Sequence, residues 1–189
     1  MRFIQYTVAA TLVAFVAGCT SLPQDSLPME PNVLAIQHYR FGIEDFSISQ
    51  ARYNLYKHKD GVWEFVVAVQ TGEALKRSKK LEKVLSAKPW FELTVLLKPD
   101  DLDLNPGKTL LQKEGYDRKR NQNLSNFYYF THESVEEAKI RILEVGSDWI
   151  EAEVTGSTIV NGSRGVTPDV RISVKARFVR DQSLRRGVW

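Results

Sequence analysis

Several stretches of the chain alternate between apolar and polar residues with a period of two. The clearest run places its apolar side chains at Val170, Ile172, Val174, Ala176 and Phe178. Similar alternation covers residues 63–69, 91–98, 138–142 and 150–154, and weaker strand patterns cover 39–48, 51–57 and 126–132. Strict alternation is typical of strands that are buried on one face, as in antiparallel sheets. These segments therefore predict a sheet with one solvated face.

Turn-forming residues separate the alternating runs. Gly146-Ser147 suits a tight hairpin, and Asn161-Gly162 begins the connection to the last strand. If residues 149–155 pair antiparallel with 170–178, two acidic residues face basic ones across the ladder. The residues concerned are Glu151 and Glu153 on one strand and Arg171, Lys175 and Arg177 on the other. Such pairs contribute only about 0.2–1 kcal/mol each, so they support a register rather than a binding site.

One segment, Glu73 to Ser86, follows a helical period instead. Its apolar residues fall within one stripe of a helix: Leu75, Leu81, Val84 and Leu85. Pro89 prevents the helix from continuing. Together these patterns predict an all-β fold, an antiparallel β-sandwich of about eight strands with one inserted amphipathic helix over about 73–86.

Composition fits a single folded domain. The chain has 189 residues, of which 43% are hydrophobic and 26% charged, and this length is ordinary for one domain. The net charge of +3 is too small to indicate nucleic acid as a partner. A single cysteine excludes an intramolecular disulfide. We expect the β-sandwich domain to cover residues 38–181 and to be followed by a frayed tail, 182–189.

The single cysteine lies near the N-terminus, at the end of a short apolar stretch. Arg2 supplies a positive charge, residues 8–17 form an apolar stretch, and Val16-Ala17-Gly18-Cys19 closes it. This layout predicts a signal peptide over residues 1–18, too short to span a bilayer comfortably. The closing four residues resemble the lipobox of bacterial lipoproteins, a pattern that ends in cysteine at the end of a signal peptide.

The resemblance implies a membrane anchor at Cys19. In that family the signal is cut before the cysteine, the thiol is diacylated and the new amine is acylated with a chain such as palmitate. Two or more acyl chains hold a protein stably on a membrane. Thr20 differs from the Asp associated with inner-membrane retention, so the resemblance favours the outer membrane of a Gram-negative host, on its periplasmic side. Residues 19–37, which contain three prolines, then form the lipidated N-terminus and an extended tether.

Two features are candidates for contact with a partner or a membrane. The predicted helix has basic residues at Lys76, Arg77, Lys79, Lys80 and Lys83. Such a face is either simply solvated or lies against anionic lipid or an acidic partner. In Phe127-Tyr128-Tyr129-Phe130, a strand must place two rings on each side. One pair enters the core, and the other, Tyr128 and Phe130, is either covered or forms an exposed platform.

The sequence contains no motif for catalysis, metal binding or a cofactor. Gly-x-Ser-x-Gly and phosphate-binding Gly-rich loops are absent. The three histidines are isolated in sequence: His38, His58 and His132. The acidic loop at 100–103 lacks the glycine and glutamate of an EF-hand loop, and the basic loop at 118–120 is expected to be solvated. We therefore predict no catalytic residue, no metal site and no cofactor.

These observations lead to one hypothesis and two alternatives. The first is a lipoprotein of the outer membrane with a non-catalytic binding or structural domain, acting on a protein or envelope polymer, for example within an envelope or secretion assembly. Secretion argues against nucleic acid as a partner. The first alternative is an envelope hydrolase or metal-dependent enzyme with a site assembled across loops. The second is an inhibitor or immunity-type protein.

Overall fold

The computed structural model describes residue 27 and residues 29–72, 88–113, 115–129, 132–160 and 168–187. Within these ranges the chain forms twelve strands. They are β1 (Val33–His38), β2 (Gly42–Lys57), β3 (Trp63–Thr71), β4 (Trp90–Leu97), β5 (Thr109–Gln112), β6 (Tyr116–Asp117), β7 (Gln122–Asn123), β8 (Asn126–Tyr128), β9 (His132–Ser134), β10 (Glu137–Val145), β11 (Trp149–Thr158) and β12 (Val170–Arg180). A short 3-10 helix, Pro99–Asp101, follows β4.

Ten of the strands form one sheet in the order β5-β10-β11-β12-β1-β2-β3-β4-β8-β9, and β6 pairs with β7 in a separate hairpin. Neighbouring strands are antiparallel, with an additional parallel contact between Val179–Arg180 and Arg52–Tyr53. The all-β, antiparallel prediction is confirmed. The strand number is larger than the eight expected, and the described strands form one long sheet rather than two separate ones.

The two ends of this sheet meet because the sheet folds over on itself. Gln112, on the edge strand β5, donates its side-chain amide to the Val135 carbonyl at 2.9 Å. Ser125 donates its hydroxyl to the other end of the Gln112 side chain and accepts the Thr94 amide at 2.9 Å. One core lies between the two halves, and its largest fully buried rings are Phe65, Phe91, Phe127 and Phe178.

The predicted pairing of the last two long strands is confirmed. Residues of β11 and β12 lie opposite each other in antiparallel register, with Glu151 facing Arg177 and Glu153 facing Lys175. The Lys175 ammonium lies 3.8 Å from the Glu151 carboxylate. The hairpin at Gly146 is also present, since its amide donates to the Trp149 carbonyl at 2.8 Å. Alternation was a sufficient signal here because one face of these strands is solvated.

The folded region begins earlier than the sequence indicated. Strand β1 spans residues 33–38 and pairs with both β2 and β12, and the Asn32 amide donates to the Lys175 carbonyl at 2.8 Å. The prediction that the tether extends to residue 37 is therefore wrong. Burial of Leu34 and Ile36 between the sheet halves explains the pairing.

Several sequence predictions lie outside the described residues. These are the signal peptide, Cys19, the helix over 73–86 with its basic residues, the Asn161-Gly162 turn and Phe130. Within the part that the structure describes, no helix is long and apolar enough to cross a membrane.

Strand β3 is buried on both faces. Phe65, Val67 and Val69 enter the main core, whereas Val66 and Ala68 point the other way and pack against Leu184. Leu184 belongs to the segment after β12 and is 3% exposed. The prediction of a frayed tail is therefore wrong for residues 182–187, because these residues cover an apolar surface that β3 would otherwise expose.

Candidate functional site

The C-terminal segment, residues 181–187, lies across the outer face of β2, β3 and β4. It starts where the Asp181 amide donates to the Tyr53 carbonyl at 2.9 Å. The buried Asn54 side chain then donates to the Leu184 carbonyl at 2.9 Å. At its far end the Gly187 amide donates to the Glu92 carboxylate at 2.7 Å. We call this segment the C-terminal strap.

A turn closed by Asp181 fixes the start of the strap. The Asp181 carboxylate accepts the Ser183 amide at 2.9 Å and the Ser183 hydroxyl at 2.6 Å, and Arg52 pairs with it at 3.0 Å. These hydrogen bonds, those from Ser183 foremost, lower the pKa of Asp181 against a smaller opposing effect of desolvation. Aspartate is favoured at such turns because its side chain binds the backbone two residues further on.

A buried ion cluster lies beneath the strap. The Arg186 side chain is 3% exposed, and its guanidinium lies 3.3 Å from the fully buried Glu64 carboxylate. Tyr56 donates its hydroxyl to the other Glu64 oxygen at 2.5 Å and accepts the Arg186 amide at 3.1 Å. Glu64 sits on β3, Tyr56 on β2 and Arg186 on the strap, so the cluster joins three separate elements.

The β6–β7 hairpin adds a second arginine to this cluster. Arg120 pairs with Asp117 at 2.5 Å, lies 3.5 Å from Glu64 and also pairs with Asp60. Asp117 in turn lies 3.4 Å from Arg186. The expectation that loop 118–120 is solvated is therefore wrong for Arg120, whose side chain is 14% exposed. Asp117 also accepts the Lys119 and Arg120 amides, which closes the turn between β6 and β7.

The cluster changes the acidity of its members. Desolvation acts to raise the pKa of Asp117, but hydrogen bonds from Arg120 and Arg186 outweigh it and the net pKa is lowered. The same balance, with hydrogen bonds from Val62, His58 and Arg120, lowers the pKa of Asp60. Burial, reinforced by donation to Glu64, raises the pKa of the Tyr56 hydroxyl to about 12. The cluster therefore holds charged carboxylates beside a neutral phenol at neutral pH.

A buried cluster of this kind adds little net stability to a fold, but it disfavours arrangements of the chain that would separate its charges. Removing several charges from water costs free energy that their mutual attraction only partly restores. Breaking one partner away, in contrast, leaves an uncompensated buried charge. The arrangement therefore fixes where the strap and the β6–β7 hairpin can lie on the sheet.

An open cleft of about 380 Å³ lies beside the cluster. Its walls are formed by Tyr56, Lys57, His58, Lys59, Glu64, Gln122, Arg185 and Arg186. The Arg185 guanidinium stacks over the Tyr56 ring at 4.4 Å and donates to the Leu184 carbonyl at 2.9 Å. On one side of the cleft, contacts with the strap hold Tyr56, Arg185 and Arg186 in position, whereas Lys57, Lys59 and Gln122 are exposed.

The aromatic run at 127–130 divides between two faces where it is described. Phe127 and Tyr129 are buried in the core. Tyr128 is half-buried on the other face, where its ring stacks on Trp90 with centroids 6.1 Å apart and tilts against His132 at 4.7 Å. The structure therefore places Tyr128 in a small aromatic group away from the ion cluster and the cleft.

The histidines and the acidic loop occupy separate positions. His38 is buried and stacks between Tyr39 and Phe41, with both pairs of centroids 4.6 Å apart. His58 pairs with Asp60 at 3.1 Å. The acidic residues of loop 100–103 are exposed. In the described ranges, no three His, Cys, Asp or Glu side chains come together in a group that could hold a metal ion.

Besides alternation, the sequence contains a second pattern that indicates this site. The run from Phe65 to Val69 is apolar without interruption, which indicates a strand covered on both faces. A strand of this kind needs a second covering segment, and the described chain uses residues 181–187 for it. No local sequence pattern indicates that Arg120 and Arg186 pair with Glu64, because the three residues are distant in sequence.

Comparison with protein family models, curated proteins and solved structures found no match to this chain.

Proposed function

We propose that the chain is a lipoprotein of the cell envelope, anchored to the outer membrane through acyl chains on Cys19, with a non-catalytic binding domain. The observation that carries the binding role is the open cleft beside the strap, one wall of which is held by the buried ion cluster. A preformed cleft binds without the cost of ordering its side chains. The anchor is supported by the N-terminal residues that end in Val16-Ala17-Gly18-Cys19.

The finer architecture belongs to the same proposal. It comprises a sandwich-like packing of the two sheet halves and the amphipathic helix over about 73–86, inserted between β3 and β4. The five basic residues of that helix would give the domain a second surface for anionic lipid or an acidic partner. The hydrolase and inhibitor alternatives stay predictions.

The anchor is tested by replacing Cys19 with Ala in the full chain expressed in a Gram-negative host. We expect the wild-type chain in the outer-membrane fraction, with the mass of a chain cut before Cys19 and acylated. The variant is expected to lose both the acyl mass and membrane retention. A Thr20→Asp variant serves as the matched control, since it keeps the acylation site and should move to the inner membrane. Unchanged retention and mass in the Cys19→Ala variant would contradict the proposal.

The binding role is tested by affinity capture of the membrane-bound chain from solubilised native envelope. We expect material that the wild type retains and that an Arg185→Gln variant loses, because Arg185 forms part of the cleft wall without pairing to a carboxylate in the described residues. Equal capture by a Lys139→Gln variant is the control for net charge, since Lys139 lines a different groove. Capture that is identical for all three chains would argue against the cleft as the binding site.

A further inference from the structure

The rim of the cleft beside the strap is cationic. Lys57, Lys59 and Arg185 line it and are exposed to solvent. Among the residues that the structure describes, none of the three has a carboxylate within ion-pair distance. The Arg185 guanidinium is fixed over the Tyr56 ring, so one of these charges has a defined position. Three unpaired cations around one cleft favour an anionic ligand.

The acidic groups next to the rim do not cancel this charge, because they are already paired. Asp60 and Asp117 both pair with Arg120. Glu64 lies between Arg120 and Arg186 at 3.5 and 3.3 Å. Three carboxylates and two guanidinium groups give the cluster a formal net charge of −1, so the three cations of the rim keep an excess of positive charge for a ligand.

The inner wall of the cleft contains polar atoms without a hydrogen-bond partner. One Glu64 oxygen, Oε1, and one Arg186 nitrogen, Nη2, are buried and make no hydrogen bond within the described part of the chain. They lie 3.3 Å apart, but not in hydrogen-bonding geometry. Both residues line the cleft. Because the Glu64 and Arg186 side chains are only 0% and 3% exposed, these atoms lie behind the surface of the cleft, and the ligand-accessible cations are those of the rim.

We propose that this cleft binds a multiply charged anion of the phosphate monoester type, with the phosphate at the Lys57, Lys59 and Arg185 rim. A phosphate monoester has a charge of about −1.5 to −2 at pH 7 and three acceptor oxygens, which matches three cations better than one carboxylate does. Arginine binds such oxygens with its planar fork, and lysine as a point charge. The inference rests on the proposed function, since it names the ligand class of that binding domain.

The test is calorimetric titration of the full chain in neutral maltoside micelles with glycerol 3-phosphate, a soluble phosphate monoester. We expect binding that weakens as salt is raised, because the rim is exposed. A Lys57→Gln/Lys59→Gln variant is expected to bind about tenfold more weakly, and an Arg185→Gln variant to lose a similar factor. The matched control is Lys113→Gln/Lys139→Gln, which removes two exposed charges from a separate groove and should leave the affinity unchanged.

A second arm separates two sources of the same chemistry. Phosphatidic acid in mixed micelles presents the phosphate on a lipid, and phosphatidylcholine in the same micelles is its comparison. Binding of phosphatidic acid or of glycerol 3-phosphate that depends on Lys57 and Lys59 supports the inference and identifies the source as lipid or soluble. The absence of binding in both arms, an equal loss in the control variant, or equally tight binding of tricarballylate would overturn it. If Cys19-dependent membrane retention persists meanwhile, only this inference fails and the proposed anchor stands.

Discussion

The guanidinium of Arg186 lies 3.3 Å from the carboxylate of Glu64, and the side chains are 3% and 0% exposed. One residue belongs to the C-terminal strap and the other to the central strand β3. The pair therefore connects the end of the chain to the middle of the sheet, and the cleft proposed as the binding site depends on it for one wall.

Removal of Arg186 should destabilise the domain strongly. An Arg186→Met variant leaves Glu64 and Asp117 with one arginine between them, and we expect a loss of about 3 kcal/mol in the free energy of unfolding, measured by denaturant titration. The exposed pair Arg141–Glu153, at 3.4 Å, provides the control, and Arg141→Met should cost less than about 1 kcal/mol. In a double-mutant cycle, Glu64→Gln should cost much less when Arg186 is already Met. Additive costs would show that the two side chains are not coupled.

Leu184 should act as an apolar anchor of the strap. It is 3% exposed and packs on Val66 and Ala68, so Leu184→Ala leaves a gap and should lower the free energy of unfolding by about 2 kcal/mol. Leu111, which is 52% exposed on β5, is the matched comparison, and Leu111→Ala should change stability by less than about 0.5 kcal/mol. Thermal unfolding of both variants measures the two losses of stability. Equal effects would mean that the strap does not bury Leu184 in solution.

Gly115 should not tolerate a side chain. A Cβ at this position would lie 2.6 Å from the Val135 carbonyl oxygen and 2.9 Å from the Ser134 hydroxyl, so backbone would have to move. We expect Gly115→Ala to cost about 1–3 kcal/mol in unfolding free energy. At Gly72 the nearest atom within the described residues, the Ser49 Cβ, would be 3.7 Å away, and Gly72→Ala should be almost neutral. A neutral result at Gly115 would contradict the close approach of β9 to the start of β6.

Alkaline pH should weaken the domain through Tyr56. The pKa of its hydroxyl is about 12 in the folded chain against 10.0 for an ordinary tyrosine. Between these values the unfolded chain releases the proton and the folded chain keeps it, so the free energy of unfolding falls as pH rises. Because Tyr56 is only half-buried, the effect should stay below about 1 kcal/mol. Denaturant titrations at pH 9 and pH 11 should show the difference between wild type and Tyr56→Phe narrowing at the higher pH. An equal difference in unfolding free energy at pH 9 and pH 11 would contradict the raised pKa of Tyr56.

Acid should also weaken the domain, through Asp117. The pKa of this carboxyl is lowered by its hydrogen bonds, so the stability it contributes is present above the ordinary value of 3.8 and is lost as pH falls through the lower folded pKa. Asp117→Asn removes this contribution. The difference in unfolding free energy between wild type and variant should be largest at pH 6 and should shrink below about pH 4, as urea titrations can show. A difference in unfolding free energy that grows in acid would contradict the lowered pKa of Asp117.

The elements that the sequence predicted well are those with one solvated face. Strands β10, β11 and β12 alternate because their outward residues are charged, and the pairing of Glu151 and Glu153 with basic residues followed from that pattern. The alternation of rings at Phe127 and Tyr129 followed from the same geometry. Local periodicity suffices where burial on one face decides the conformation.

The candidate site could not be predicted in the same way, because it forms between segments distant in sequence. In the sequence, Glu64 has the pattern of an ordinary outward residue of β3. In the structure it pairs with Arg186 of the strap and Arg120 of the β6–β7 hairpin. The first strand was missed for a related reason. Its residues alternate only weakly, since Leu34, Ala35 and Ile36 are all buried once β2 and β12 lie on either side.

The position of the strap has a consequence for how the chain is made. Protein synthesis proceeds from the N-terminus, so residues 181–187 are made after all twelve described strands. Until they arrive, Glu64 and Glu92 lack part of the cover that the finished domain gives them. Strand β1 likewise waits for β12, its partner from the opposite end of the chain. The domain therefore reaches its native state only after residue 187 has been made, and a product that ends before Asp181 would leave the face of β2, β3 and β4 uncovered.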